Sequence, residues 1–187
     1  MVGQVESTNA NAEFGDVWDE MRDHAVACVF FADAAIESYA NELFADAGKI
    51  FPPQFLAGLS VLWGDIERRK SSIEKLEIAL SLKDKPKLDH KSPLVKAMKV
   101  AGRLRNEVTH FKPEWSHEPD KHASLSKDHL DRSPYFRNGL LFPQAWVTHS
   151  CTRWIVLTTI EFLQTFESLA DLPGRTNWQS WQSRLIP

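Results

Sequence analysis

Arg105, Asn106 and His110 stand in the order Arg-Asn-x3-His, and Phe111-Lys112-Pro113 follow. An arginine can hold a phosphate through a planar fork of donors. A histidine can take or give a proton near neutral pH. Together they suit phosphoryl chemistry on a nucleic acid, with Asn106 placed to orient the phosphate or the imidazole. Lys99, Arg103 and Lys112 are the expected further contacts to an anionic substrate. An arbitrary Arg-x4-His pair more often records an arginine bonded to a core-edge carboxylate and a helix-terminal histidine near carbonyl groups. The elements around the three residues therefore decide what they mean.

The helix that carries them is predicted from Pro93 to about Phe111. Ser92 offers a capping hydroxyl and proline suits the first helical position. At about 100° per residue, Ala97, Ala101, Leu104, Val108 and Phe111 gather into a core stripe, and Arg105 falls at its edge. Asn106 and His110 lie together further round, with Gly102 and Lys99 nearby and no acid among them, while Glu107 points elsewhere. An arginine at a core edge requires a partner, because an unpaired desolvated charge is costly. Gly102 would let another backbone approach closely, from this chain or from a second copy, and leave Arg105 and His110 around a shared pocket.

Three further long helical patterns organise the rest of the chain, making four in all. The first runs from Gly15 or Asp16 to about Ala47, with Gly48 as its expected C-terminal cap. Its apolar positions, Val17, Met21, Ala25, Cys28, Ala32, Ala35, Ile36, Tyr39 and Leu43, recur at three and four. Asp33, Glu37 and Asn41 share a second face. That face reads first as solvated surface; if it lines a cleft instead, Glu37 and Asn41 join the substrate contacts. A second region spans Pro53 to Leu82, with a bend at Gly64 or at Ser71-Ser72. Lys83–Lys91 is a charged loop, and 112–142 is a long polar connection. Pro143 is expected to open the last long helix, which reaches about Leu172 before Pro173-Gly174. No stretch alternates with a period of two, so the prediction is an all-α, up-and-down bundle of four to five main helices with a long loop before the last long one. Residues 15–172 form the single domain. Residues 1–14 are a flexible tail, and 173–187, with Trp178 and Trp181, pack back onto the domain.

Composition narrows the function classes. The 187 residues include seven Trp and eleven Phe, enough for a substantial core, and carry a formal charge of −3. Bulk charge therefore does not mark a protein that coats nucleic acid. Between Lys83 and Lys112, however, nine basic residues stand against three acids, so this segment carries +6 and the remainder −9. A local basic segment in an acidic chain suits the grip of one anionic ligand. Cys28 and Cys151 fall in apolar helical patterns and read as free thiols rather than a disulfide. The first dozen residues lack signal-peptide order, and the apolar run Ala25–Ala32 is too short to cross a bilayer. A cytoplasmic setting without a membrane is expected.

Other chemistries have weaker support. His117, His122 and His129 stand beside Glu118, Asp120, Asp128 and Asp131, but Pro119 prevents His117-Glu118 from lying on one helix face as a zinc signature requires. No metal and no cofactor are expected. No serine or cysteine nucleophile and no phosphate-cradling glycine loop is visible. The aromatic residues suit core packing, with Trp115 and Tyr135 as candidates to stack a base.

With its marker in a helical plan covering roughly Asp16 to Leu172, the chain resembles the HEPN superfamily (higher eukaryotes and prokaryotes nucleotide-binding). That marker is an arginine, an adjacent polar residue and a histidine four to six positions after the arginine, matched by Arg105, Asn106 and His110. The stretch Ala34–Leu43 also resembles first helices of the family. The resemblance implies a metal-independent endoribonuclease acting on RNA as a homodimer, with the motif-bearing helices of two copies meeting. His110 would be the general acid or base and Arg105 would stabilise the phosphorane. It further implies a toxin or defence role with a possible antitoxin protein as partner. Some members have lost catalysis and bind a nucleotide or a protein, which is the alternative for this chain.

Overall fold

The computed structural model describes residues 16–110, Leu125 and residues 146–174. The N-terminal tail 1–14, most of the 112–142 connection including Lys112, Trp115 and Tyr135, the expected helix start at Pro143, and Trp178 and Trp181 lie outside these residues. Among the described residues the fold is all-helical. Its elements are α1 (Asp16–Ala45), α2 (Ala47–Ile50), α3 (Pro53–Arg69), α4 (Ser72–Leu82), α5 (Pro93–Thr109) and α6 (His149–Leu169). No helix among them is long and apolar enough to cross a membrane.

Local chemistry sets most boundaries. Asp16 and Asp19 occupy the first turn of α1, where carboxylates favour the positive end of the helix dipole. The helix stops at Ala45, and Gly48 lies inside the short α2. Asp46, not Gly48, turns the chain: its carbonyl accepts from Lys49 N–H at 2.8 Å and its carboxylate pairs with the Lys49 ammonium at 3.1 Å. Pro52 is extended and Pro53 opens α3, as a residue before proline and a proline at the first position should. Of the two bend sites, the chain uses Ser71 and leaves Gly64 within α3. Ser71 and Glu74 form a reciprocal capping box, satisfying two backbone donors at the start of α4. Ser92 Oγ accepts from Val95 N–H at 3.3 Å at the start of α5.

Two helix ends are left-handed without glycine. Asp84 and Asp171 have φ of 53° and 47°. After α4, Asp84 N–H reaches Ser81 O and Lys85 N–H reaches Leu80 O; after α6, Asp171 N–H reaches Ser168 O and Leu172 N–H reaches Glu167 O. Both are Schellman closures. The start of α6 also differs from expectation: it is His149, and Cys151 N–H donates to Thr148 Oγ1 at 3.1 Å. The threonine cap, rather than Pro143, begins the helix. Leu125, expected in an irregular polar connection, is helical and buried.

The chain divides into two compact units. The unit formed by Met1–Asp33 and Lys96–Thr158 has a core of Met21, Ala25, Val29, Leu104, Leu125, Trp146, Val147, Cys151 and Ile155. The unit formed by Ala34–Val95 and Thr159–Pro187 buries Ile36, Leu43, Leu76, Leu80, Phe162 and Phe166 among others. Its rings interlock: Phe44 stacks on Trp63 with centroids 4.6 Å apart, and Tyr39 meets Phe166 edge-on at 6.0 Å. The Tyr39 hydroxyl donates to the buried Glu167 carboxylate at 3.1 Å.

Candidate functional site

The site begins as a periodicity on α5. Ala97, Ala101 and Leu104 are buried and Val108 is half-buried, which makes the expected core stripe. On the other side Lys96, Lys99, Arg103, Asn106 and His110 follow one another at intervals of three and four, and all are exposed. Such spacing is one stripe on a helix; from Lys96 to Asn106 it runs about 15 Å at 1.5 Å per residue. Glu107 only touches its edge, 3.9 Å from Arg103.

Arg105 stands between this stripe and α1. Its Nε lies 3.0 Å from Asp33 Oδ2, and Nη1 donates to Asn106 Oδ1 at 2.8 Å. Nε is buried and has no aligned acceptor, so the contact with Asp33 is chiefly charge on charge. The Arg105 side chain keeps 38% of its surface in solvent. A guanidinium has five N–H donors, and those not turned to Asp33 and Asn106 remain available for a ligand. The helix ends just beyond: Thr109 Oγ1 donates to Arg105 O at 2.7 Å and His110 N–H to Asn106 O at 2.9 Å. That leaves the His110 side chain exposed at the helix terminus.

Asp33 is the residue sequence reasoning placed on a solvated face. Sequence distance hid its partner: 72 positions separate it from Arg105, and helical periodicity reports only neighbours within a few turns. The other two residues of that stripe also hold a cation. Lys75, with 0% of its surface exposed, pairs with Glu37 Oε1 and donates to Asn41 Oδ1 at 3.0 Å; Ser72 Oγ donates to Glu37 as well. Burial pushes the Glu37 carboxyl up, but hydrogen bonds from Lys75 and Ser72 and the lysine charge outweigh it, and the net shift is below the usual range. The Lys75 ammonium also lies 6.0 Å from the Trp63 ring centroid. Glu37 and Asn41, named as possible substrate contacts, are thus engaged by Lys75 in the unit that does not contain Arg105, Asn106 and His110. Lys112 lies outside the described residues.

Three smaller expectations have structural answers. A Cβ at Gly102 would meet nothing within 4 Å, so no element among the described residues uses that glycine for close approach. Cys28 is half-buried and Cys151 buried, both as free thiols; burial pushes the Cys28 thiol up. Among the described residues no three His, Cys, Asp or Glu converge to hold a metal ion, and the histidines of the long connection lie outside them.

Sequence reasoning missed one more feature. Phe30 and Phe31 on α1 are 37% and 74% exposed. Val29 faces the core, and successive side chains diverge by about 100°, so three consecutive apolar residues could not all be buried there. Comparison with protein-family models, with curated proteins and with solved structures returns no match.

Proposed function

We propose that this chain is a metal-independent endoribonuclease of the HEPN type. The observation that carries the reading is the placement of Arg105: anchored by Asp33 and Asn106, partly open to solvent, and adjoining an exposed stripe that ends in His110. An arginine wholly consumed by structural bonds could not take a phosphate. This one retains donors beside a cationic surface and a solvent-facing imidazole.

In the proposed reaction the RNA 2′-hydroxyl attacks the neighbouring phosphorus and loses its proton to a base. The bond to the 5′-oxygen breaks, that oxygen takes a proton, and a 2′,3′-cyclic phosphate remains. His110 serves as base or acid, a role contributing about 10²–10⁴-fold. Arg105 donates to the phosphorane oxygens as their charge grows, and Asn106 holds the guanidinium in place. One imidazole cannot be base and acid in the same step, so two copies meeting through α5, each giving one histidine, complete the site. Among the described residues nothing lies within 4 Å of a Cβ at Gly102, which supports that approach. On this reading the helices form an up-and-down bundle, and the protein is a cytoplasmic toxin or defence effector with a possible antitoxin partner.

The Asp33–Arg105 pair also favours a second reading, a catalytically silent module binding a nucleotide or protein, because the arginine already has a carboxylate. Incubating the purified protein with RNA in chelator separates the two. Cleavage lost by 10²-fold or more in His110→Ala and in Arg105→Ala supports the enzyme; equal cleavage by all three proteins sinks it. DNA, lacking the 2′-hydroxyl, should remain intact.

A further inference from the structure

We infer that Phe30 is a stacking platform for an unpaired base of the RNA whose phosphate Arg105 holds, so that the substrate is single-stranded. The inference rests on the ribonuclease reading for the phosphate and on separate geometry for the base. Phe30 and Asp33 are three positions apart on α1 and therefore neighbours on its surface. Helical side chains lean back toward the N-terminus, so the Asp33 carboxylate projects over the turn that carries Phe30. Arg105 Nε meets that carboxylate at 3.0 Å, which brings the guanidinium above the same turn. Its Nη1 reaches Asn106, a member of the Lys96–Lys99–Arg103–Asn106–His110 stripe. Helix spacing and these two contacts give an order along the surface: an exposed aromatic residue, a phosphate-capable arginine, then exposed cations along α5.

That order is what a single strand requires. Its phosphates follow positive charge while its bases, free of pairing, lie on aromatic faces. A duplex keeps its bases stacked inside and has no use for the ring. A second protein copy seated on Phe30 would use its apolar surface alone, whereas a strand engages the ring and the adjoining cations together. The cationic surroundings therefore favour RNA.

The test uses full-length His110→Ala protein, which separates binding from cleavage, and a fluorescein-labelled 12-nucleotide RNA of mixed sequence, read by anisotropy beside the same RNA as a duplex. Phe30→Ala in this background should weaken single-strand binding by about 5- to 150-fold and leave duplex binding unchanged; Phe30→Tyr should restore the single-strand affinity. Unchanged binding in Phe30→Ala overturns the platform. So does a shift from dimer to monomer in sedimentation without loss of affinity, which would make Phe30 an interface residue between copies. If the protein with His110 intact cleaves no RNA yet binds the single strand through Phe30, the platform stands and the ribonuclease reading falls. If it cleaves and Phe30→Ala leaves KM and kcat alone, the platform falls by itself.

Discussion

Glu37 and Lys75 have unequal stakes in their bond. Lys75 is fully enclosed while Glu37 is 38% exposed at its side chain. Removing the acid strands a buried ammonium, and Glu37→Leu should cost about 3–5 kcal/mol in urea unfolding. Lys75→Met should cost clearly less, since the carboxylate left behind can hydrate and the methionine fills the vacated space. An equal loss in both variants would contradict this asymmetry. Acid should act on the same pair. Because the folded carboxyl lies below its ordinary value, its contribution is complete above the ordinary carboxylate range and disappears as pH falls through the depressed value. Glu37→Gln should therefore flatten the acid limb of a stability-versus-pH curve. The sequence contained the i, i+4 register of Asp33, Glu37 and Asn41, but nothing local identified Arg105 or Lys75 as the cations that engage them. Long-range pairing was the illegible part of the site; the core-edge position of Arg105 and the common face of Asn106 and His110 followed from α5 alone.

Helix ends show where sequence reading succeeds and where it fails. Ser92-Pro93 made its start legible, while the second region's bend stayed open between Gly64 and Ser71-Ser72 because the Ser71-x-x-Glu74 capping box was not read. Gly48 and Pro143 are generic breakers, and better-placed polar residues, Asp46 and Thr148, took their roles. The capping box gives a direct check: Ser71→Ala should lower stability by about 0.5–2 kcal/mol, measured by denaturant midpoint. The backbone N–H of Ser71, the Lys70 ammonium and the Ser71 hydroxyl together hold the Glu74 carboxyl down to about 2. The cap is therefore complete above the ordinary carboxylate range and weakens only as pH falls toward 2. At the other end of α4, Asp84 adopts a conformation that glycine enters freely. Asp84→Gly should raise the melting temperature, by an amount equivalent to at most about 1 kcal/mol, because glycine's greater freedom in the unfolded chain offsets part of the relief.

For the whole molecule, the decisive question is whether one copy suffices. If the His110 side chains of both chains are needed at one site, mixing equal amounts of unmutated protein and His110→Ala should leave about a quarter of the unmutated activity, because only dimers of two intact chains are competent. Activity of about one half would show that one histidine suffices at each site. The helical class followed readily from the absence of two-residue alternation, whereas a partner copy leaves no periodicity in its own sequence. The Asp33–Arg105 contact finally has a consequence for ions in solution. Binding releases counterions in proportion to the phosphates that protein cations neutralise, with a slope of about −0.7 per contact for a single strand. An arginine already matched by a carboxylate displaces little, which leaves Lys96, Lys99 and Arg103 to set the count. Single-strand affinity should therefore fall with a log–log salt slope of about −2, and Asp33→Asn should steepen it toward −3 by returning one more cation to the strand.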